Sequence, residues 1–184
     1  MRVLAGTLKG RRLAIPRGPA TRPTSDRIRI ACLDTLTPYL TAGPFLDLFA
    51  GAGGVGIEAL SRGAPSALFV ETAGLALRAL RDNLEGLGLG DRARVMREEA
   101  ARAVPALARR GERFAVVFLD PPYDSPDAAR ALEAVAAGAV LAPGAVVVLQ
   151  HSTKSPPPDA PGVLGVFKSS RFGETTLTFF RRHA

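Results

Sequence analysis

The sequence Phe45-Leu-Asp-Leu-Phe-Ala-Gly-Ala-Gly-Gly-Val-Gly56 decides the fold of this chain. Its first five residues are apolar except for Asp47, and they predict a buried strand. Residues 51–56 then form a glycine-rich turn, and the apolar pattern after it predicts a helix with Gly63 at its C-terminal end. A strand, a glycine turn and a helix in this order are typical of a nucleotide-binding βαβ unit.

The same alternation of strands and helices continues along the chain. Strands are predicted at 67–70, 94–97, 114–119 and 145–149, with helices between them, the last over 127–140. An earlier helix is predicted to begin near Thr24 or Ser25 and to end before Pro38. Two final strands, 162–168 and 175–181, have no helix between them and should pair antiparallel. We therefore predict a mostly parallel seven-stranded sheet with helices on both faces, ending in an antiparallel hairpin.

The net charge of +7 is concentrated at the start of the chain. Residues 1–31 contain eight basic side chains and one acid, whereas the remaining residues contain sixteen of each sign. Residues 1–16 alternate in a way that predicts a small basic β-hairpin, and 17–23 predict an extended linker. We therefore divide the chain into a basic segment, 1–23, and a main domain, 24–184. The localised charge is typical of a surface that binds a polyanion, although a solvated basic hairpin would carry the same charge.

The length and composition indicate one ordinary globular domain. At 184 residues the chain can form one full core, and no apolar run approaches the roughly 18 residues of a membrane span. Basic residues interrupt any secretory signal at the start. Cys32 alone cannot form an internal disulfide, so we expect a cytoplasmic protein. No cluster of ligand residues predicts a metal site, and we expect a monomer that binds no membrane.

A second informative stretch is Phe118-Leu-Asp-Pro-Pro-Tyr123. Neither proline can donate a ladder hydrogen bond, so the preceding strand must end there. Asp120 is thereby placed just past the carboxyl end of a strand, where open α/β sheets bind ligands. An acid, two proline carbonyls and an aromatic ring suit a planar ligand with an amino group. Asp-Pro-Pro-Tyr resembles the motif of amino-methyltransferases, which methylate an exocyclic nitrogen with S-adenosylmethionine.

The glycine turn alone leaves the cofactor ambiguous. Residues 51–56 satisfy the G-x-G-x-x-G pattern, and Glu71 stands twenty residues after Gly51, as in a nicotinamide dinucleotide site. S-adenosylmethionine enzymes use the same turn and acid. Asp47, inside the first strand, could face the methionine ammonium, and Asp120 could face the transferable methyl group. These two acids favour S-adenosylmethionine.

Several segments together resemble one family, the RsmD-type 16S rRNA guanine-N2 methyltransferases. They are Arg22-Pro-Thr-Ser-Asp-Arg-Ile-Arg29, the stretch from Leu46 to Ala64, Asp120-Pro-Pro-Tyr123, Phe172-Gly-Glu-Thr-Thr-Leu-Thr-Phe179 and the basic opening 3–13. The similarity spans nearly the whole chain. It implies a Rossmann-like S-adenosylmethionine-dependent methyltransferase fold. It also implies methylation of one guanine in the helix 31 loop of 16S rRNA, with the assembled small subunit as substrate.

The resemblance also implies which residues form the site. The catalytic residues would be Asp120, Pro121, Pro122 and Tyr123. The cofactor contacts would come from Asp47, Phe49, Gly51, Gly53, Glu71, Thr72, Glu99, Ala100 and Asp120. RNA would be bound by Arg2, Lys9, Arg11, Arg12, Arg22, Thr24 and Arg27. Glu98 competes with Glu99 for the adenine amino group, and both acids would equally suit a helix N-terminus.

This chain departs from the family pattern at three places. Ala73 stands where a second acid is usual, Glu99 stands where Asp is commoner, and Gln150-His151 replaces a frequent Glu-His pair. These departures affect the expected contacts to the adenosine and leave the reaction class unchanged.

The proposed chemistry needs no strong base. The exocyclic nitrogen of guanine is a poor nucleophile because its lone pair is delocalised into the ring. Asp120 and the Pro121 carbonyl could accept hydrogen bonds from its two N–H groups and so turn the lone pair toward the methyl group. Tyr123 would stack on the extruded base.

Three rival functions remain open at this stage. An N6-adenine methyltransferase acting on DNA or RNA would share the motif, although the forty-odd residues before the first strand leave little room for a DNA-recognition domain. A nicotinamide-dependent oxidoreductase would leave the Asp120 motif unexplained. A non-enzymatic RNA-binding factor would explain the basic segment alone.

Overall fold

The computed structural model describes residues 1–16, 25–122, 126–157 and 162–183. Five helices and seven strands are found in these ranges. The helices are α1 Asp26–Leu40, α2 Gly54–Ser61, α3 Gly74–Gly86, α4 Ala100–Arg109 and α5 Pro126–Ala136. The strands are β1 Phe45–Leu48, β2 Ala67–Glu71, β3 Ala93–Arg97, β4 Phe114–Leu119, β5 Leu141–Ser152, β6 Leu164–Phe172 and β7 Thr175–Arg182.

All seven strands form one sheet in the order β3-β2-β1-β4-β5-β7-β6. The first five in this order are mutually parallel, and β7 pairs antiparallel with both β5 and β6. This is the predicted Rossmann-like S-adenosylmethionine-dependent methyltransferase fold, and the prediction of a mostly parallel sheet ending in an antiparallel hairpin is confirmed.

The sheet separates two hydrophobic cores, because successive side chains of a strand point to opposite faces. Phe45, Phe69 and Phe118 pack on one face with apolar side chains of α1, α2 and α3. Leu46 and Val117 pack on the other face with those of α4 and α5. The inner strands are therefore apolar on both faces, as is usual for parallel sheets covered by helices.

The N-terminal segment packs against the main core. Residues near Arg2 and Arg12 run antiparallel, as predicted, but a single bridge pairs them in place of two regular strands. The reason is that several backbone N–H groups bond to the body of the protein. Leu4 and Ala5 each donate to the Glu58 carboxylate at 2.8 Å. The division of the chain at residue 23 falls outside the described residues and stays a prediction.

Two helix boundaries differ from those predicted. Helix α1 continues through Pro38 to Leu40, so the prediction that it ends before Pro38 was wrong. A proline removes one backbone bond, but Leu36 and Leu40 are fully buried, and their packing stabilises the last turn. Helix α5 ends at Ala136, before Gly138 with its φ of +80°, and not at Val140.

The strands β5 and β6 are longer than predicted. Strand β5 begins at Leu141, four residues before the predicted start, and pairs there with Phe114. Strand β6 extends to Phe172, although its hydrophobic pattern ends near residue 168, because the polar residues 169–171 still pair with β7. Hydrogen-bond pairing of polar residues leaves no signal in hydropathy. No helix among the described residues is long and apolar enough to cross a membrane.

Candidate active site

The candidate site lies where β1 and β4 run side by side. Helices α2 and α3, which follow β1 and β2, cover one face of the sheet, and α4 and α5 cover the other. The chain therefore changes face between β1 and β4, and open α/β sheets bind ligands at such a switch point. Leu48 pairs with Leu119, so the loops after both strands leave the same edge as neighbours. The Asp120 N–H donates to the Leu48 carbonyl at 3.4 Å.

The loop after β1 has an unusual backbone. Phe49 has a φ of +63° and is the one non-glycine residue with positive φ among those described. Gly51 and Gly53 follow with φ of +56° and +84°. A left-handed conformation is costly for a residue with a Cβ, and such strain is concentrated at functional sites. The predicted cofactor residues Phe49, Gly51 and Gly53 thus form one turn at the switch point.

Asp47 is buried beneath this turn and accepts a hydrogen bond from the Gly56 N–H at 2.8 Å. Burial raises the pKa of Asp47 to about 8, the Gly56 bond opposes this shift, and the charges of Asp120 and Glu71 add to it. Its carboxylate thus links β1 to the first turn of α2. We predicted that it faces the methionine ammonium, and this contact stays a prediction.

Glu71 ends β2 and is hydrogen-bonded to the same turn. Its carboxylate accepts from the Gly51 N–H at 2.7 Å, and from the N–H groups of Thr72 and Ala73 at 2.7 and 2.8 Å. A Cβ built on Gly51 would have no atom within 4 Å. The glycine turn therefore lies beside open space, with the Glu71 carboxylate at its border.

The acids after β3 do not settle the choice left open by the sequence. Glu98 accepts a hydrogen bond from the Glu99 N–H at 3.0 Å. Glu99 occupies the N-cap position of α4 without a side-chain cap bond, and pairs with Arg102 at 3.3 Å. Ala100 is buried in the first turn. Both acids sit at a helix N-terminus, where negative charge is favourable without any ligand.

The segment after β4 places the predicted catalytic acid on the α1 side of the sheet. Asp120 is half-buried, Pro121 is buried and Pro122 is exposed, while Tyr123 lies outside the described residues. Burial raises the pKa of Cys32 on α1, and the carboxylates of Asp120 and Asp47 contribute to this shift. Asp47 pairs in register with Phe118, whose ring packs on the face covered by α1, and strand alternation places Asp120, two residues later, on that face too.

The predicted RNA-binding residues are largely on the surface. Arg2, Lys9, Arg11, Arg12 and Arg27 are exposed, and Arg11 donates to the Gly86 carbonyl at 3.0 Å. Arg22 and Thr24 lie outside the described residues.

Arg29, which we counted in the basic excess, does not contribute to the surface. Its side chain is 1% exposed, pairs with Asp26 at 3.0 Å and donates to the Arg2 carbonyl at 2.5 Å. Burial lowers its pKa, against the opposing charges of Asp26 and Glu58. Its position four residues before the buried Leu33, on the apolar side of α1, was the signal available in the sequence.

Gln150 borders the candidate site, although sequence reasoning treated it only as a departure from a family pattern. It is buried near the carboxyl end of β5, one residue after the Leu149–Leu119 pair, so the register of β4 and β5 places it beside the segment that begins at Asp120. Its side-chain oxygen has no hydrogen-bond partner among the described atoms. A polar residue directly after the five apolar residues 145–149 was the available signal.

Metal chemistry has no candidate here, since no group of three or more His, Cys, Asp or Glu side chains within the described ranges could bind an ion. The expected absence of a metal stays a prediction.

Comparison with known proteins identifies relatives along the full chain. A family model described as "Conserved hypothetical protein 95" matches residues 1–181. Bacillus subtilis YlbH, whose name presents it as a candidate rRNA methyltransferase, is 36% identical over 182 residues, which cover 99% of both chains. "Ribosomal RNA small subunit methyltransferase D" of Escherichia coli K12 is 30% identical over 184 residues, which cover 100% of this chain and 91% of that protein.

Solved structures show the same architecture. Escherichia coli yhhF, named as a candidate methyltransferase, is 28% identical with a TM-score of 0.87, covering 100% of this chain and 98% of that one. A more distant candidate methyltransferase, complexed with S-adenosylhomocysteine, is 10% identical with a TM-score of 0.65, covering 80% of this chain and 48% of that one. At that identity the likeness shows the fold alone.

Proposed function

Because this chain belongs to the RsmD family of rRNA methyltransferases, we propose that it methylates the exocyclic N2 of a guanine in 16S rRNA. The proposed target is the guanine of the helix 31 loop, and the proposed substrate is the assembled small subunit. The observation that carries the proposal is the meeting of two loops at one sheet edge, the glycine turn after β1 and Asp120-Pro121-Pro122 after β4.

S-adenosylmethionine is the cofactor of this enzyme, and it supplies an electrophilic methyl group on a sulfonium. The residues after β1 and β2 fit it. The Glu71 carboxylate can accept hydrogen bonds from ribose hydroxyls, and Gly51 leaves space for a nucleoside at the edge of the turn. Nothing in this donor set requires a pyrophosphate. Together with the family, this favours methyl transfer over the nicotinamide alternative.

The chain's own residues would act chiefly by orientation. The Asp120 carboxylate and the Pro121 carbonyl accept hydrogen bonds from the two N–H groups of the guanine amino group. This arrangement turns the nitrogen lone pair toward the methyl donor. Positioning of this kind can supply several kcal/mol without a strong base. Tyr123 is proposed to stack on the extruded base.

The residues that would bind RNA phosphates are the exposed basic residues of the N-terminal segment together with residues at the start of α1. Arg2, Lys9, Arg11, Arg12 and Arg27, with Arg22 and Thr24 beyond the described residues, are the candidates. Neutralising one phosphate contact should lower affinity about equally for all RNA sequences and flatten the salt dependence. RNA binding that does not change with salt would contradict this assignment.

The decisive experiment is incubation with tritiated-methyl S-adenosylmethionine and small subunits that lack this methyl group, followed by nucleoside analysis. We expect label in N2-methylguanosine at one site of 16S rRNA. Label in N6-methyladenosine would overturn the guanine assignment and favour the adenine alternative. Absence of label in subunits, free rRNA and DNA, from protein that binds the cofactor, would overturn the proposed substrate.

A further inference from the structure

A strip of cationic and aromatic side chains runs between α1 and β6. Of its members, only Arg27 has been assigned a function above. The strip, called here the α1–β6 strip, consists of Arg27, Tyr39, Phe167, Lys168, Phe172 and Arg181. All four cation–π contacts in the described part of the chain involve its members. Arg27 and Tyr39 are twelve residues apart on α1, so the strip is roughly 18 Å long.

One end of the strip lies at the edge that carries the active site. Phe172 is the last residue of β6, and the turn after it lies beside the end of β5, because the Thr153 N–H donates to the Glu174 carbonyl at 2.8 Å. Arg27, in the first turn of α1, places its guanidinium 5.8 Å from the centre of the Phe172 ring. An RNA strand that delivers a base to Asp120 would pass this pair.

The other end of the strip is also built from cations and rings. The Lys168 ammonium donates to the Thr35 hydroxyl at 2.8 Å. The Arg181 guanidinium lies 4.9 Å from the Phe167 ring centre and 5.5 Å from that of Tyr39, and donates to the Tyr39 hydroxyl. Phe167 is nevertheless 40% exposed. A partly exposed aromatic ring beside cations is a suitable stacking surface for a base.

The cations of the strip, Arg27, Lys168 and Arg181, lack ion-pair partners in the described part of the chain. Residues 164–182 contain four basic side chains and one acid, Glu174, which pairs with Lys154. Acids elsewhere in the chain mask this excess when charge is summed over residues 32–184. Uncompensated cations in a row complement a polyanion.

The geometry of β6 argues against a protein strand as the partner. Strand β6 is the edge of the sheet, and it carries an irregularity between Val166 and Lys168 together with the charged Lys168 and Arg171. Bulges and charged side chains are the features by which edge strands avoid pairing with another chain. Binding here would therefore use the side chains, and cations alternating with aromatic rings are typical of surfaces for single-stranded RNA.

We propose that the α1–β6 strip binds the single-stranded RNA segment that leads into the active site. Arg27, Lys168 and Arg181 contact phosphates, and Phe167 and Phe172 pack against bases. The proposal rests on the proposed function, since it takes RNA as the substrate, and it adds a binding surface separate from the basic N-terminal segment.

The test compares two double charge reversals in the full-length protein. Lys168→Glu/Arg181→Glu alters the strip, and Arg109→Glu/Arg110→Glu makes the same charge change at the end of α4, on the opposite face of the sheet. Binding of fluorescein-labelled oligouridine is measured over a series of salt concentrations. We expect the strip variant to bind oligouridine at least about tenfold more weakly than the wild type, and the control variant to bind it as the wild type does. The strip variant's slope of log affinity against log salt should be flatter by about 1.4, since each phosphate contact on a single strand contributes about 0.7.

A second variant separates stacking from charge. Phe167→Ala should lower the affinity for oligouridine about fivefold or more while leaving the salt slope unchanged, because stacking on a base releases no counterion. Thermal melting of every variant establishes that it is folded. If Lys168→Glu/Arg181→Glu does not fold, the variant Lys168→Gln/Arg181→Gln replaces it.

The outcomes separate this proposal from the proposed function. If the strip and control variants have equal affinities for oligouridine and equal salt slopes, the proposal that the strip binds RNA is overturned. The charges of the strip would then serve only to keep the edge strand from pairing with another chain. Strip-dependent binding of oligouridine by a protein that methylates no small subunit would support the strip and overturn the proposed function. Methylation of subunits with a Michaelis constant unchanged by the strip variant would overturn the strip and leave the proposed function standing.

Discussion

The two loops that meet at the carboxyl edge of the sheet are held in shape by different means. The loop after β1 depends on side-chain carboxylates, because Asp47 accepts from Gly56 at 2.8 Å and Glu71 accepts from Gly51 at 2.7 Å. The segment after β4 depends on two prolines, whose rings restrict φ, and on a backbone bond from the Asp120 N–H to the Leu48 carbonyl at 3.4 Å.

The difference has a consequence for chemistry. A carboxylate that fixes a turn contributes to its geometry before any ligand binds, but a buried one is costly, and the pKa of Asp47 is accordingly raised to about 8. Covalent stiffness in Pro121 and Pro122 carries no such cost. The proline rings therefore restrict the backbone of the catalytic segment independently of any side-chain charge.

The largest effect is expected from Asp120→Ala. Turnover should fall about 10²- to 10⁴-fold, since the group that orients the amino nitrogen is lost, while cofactor affinity changes little. Single-turnover transfer of tritiated methyl and calorimetric titration with S-adenosylhomocysteine measure the two quantities. Asp91→Ala, an exposed acid between α3 and β3, is the control. Retained turnover in the Asp120 variant would remove its catalytic role.

Two glycines of the same turn should respond differently to a methyl group. In Gly56→Ala the Cβ would lie 2.4 Å from the Phe69 ring and 2.9 Å from the Asp47 carboxylate, so we expect a loss of about 1–3 kcal/mol of stability. In Gly51→Ala the Cβ meets no atom, although the φ of +56° costs about 1 kcal/mol.

The Gly51 variant should instead lose cofactor affinity, because its methyl group enters the space assigned to the nucleoside. Urea unfolding measures the stability of each variant, and titration with S-adenosylhomocysteine measures its affinity for the cofactor product. A Gly51→Ala protein that binds the cofactor normally would show that this space is not the nucleoside site.

Asp47→Asn tests the cost of the buried carboxylate. The folded-state pKa, about 8, exceeds the unfolded value of about 4, so the folded protein binds the extra proton between these values and stability falls as pH rises through this window. Asparagine cannot ionise and can still accept from Gly56. The variant should therefore gain up to about 5 kcal/mol over the wild type at pH 9 and differ little at pH 4. Melting curves measured at pH 4 and pH 9 test this. A difference in melting temperature between variant and wild type that is the same at both pH values would contradict the raised pKa of Asp47.

The smallest effect is expected from Glu71→Gln. An amide has one acceptor oxygen, so at least one of the bonds from Gly51, Thr72 and Ala73 is lost, and cofactor affinity should fall about tenfold. Glu99→Gln is the matched change on the exposed acid after β3. If that variant loses affinity by the same factor in titration, Glu99 contacts the cofactor as first predicted; an effect confined to Glu98→Gln would assign the contact to Glu98.

Much of the site was predictable because it depends on local patterns repeated along the chain. The strand before Asp47 and the glycines after it form one continuous segment, and the acid of Glu71 ends the next strand. Parallel register then brings Glu71 to Gly51 without further information. The same reasoning placed Asp120 beside this turn, since β1 and β4 are neighbours in folds of this class.

Other features could not be predicted because they arise from contacts between distant segments. Arg29 lies on the apolar side of α1, a signal of burial in the sequence, but its partner, the Arg2 carbonyl, is 27 residues away and was not predictable. Glu58 reads as an exposed helical acid, yet its carboxylate accepts from backbone groups more than fifty residues away. The charge of the α1–β6 strip was masked for the same reason, because a sum along the chain does not record which residues share a surface.

By itself, the sequence determined the order of strands and helices, the glycine turn with its acids and the amino-methyltransferase motif. Each is written in residues close together in the chain, where periodicity and turn chemistry act directly. Only the tertiary structure decided which charges are buried, how the N-terminal segment packs and which cations line up beside β6. Those outcomes depend on the packing of residues far apart in sequence, and burial and charge compensation are properties of the assembled surface.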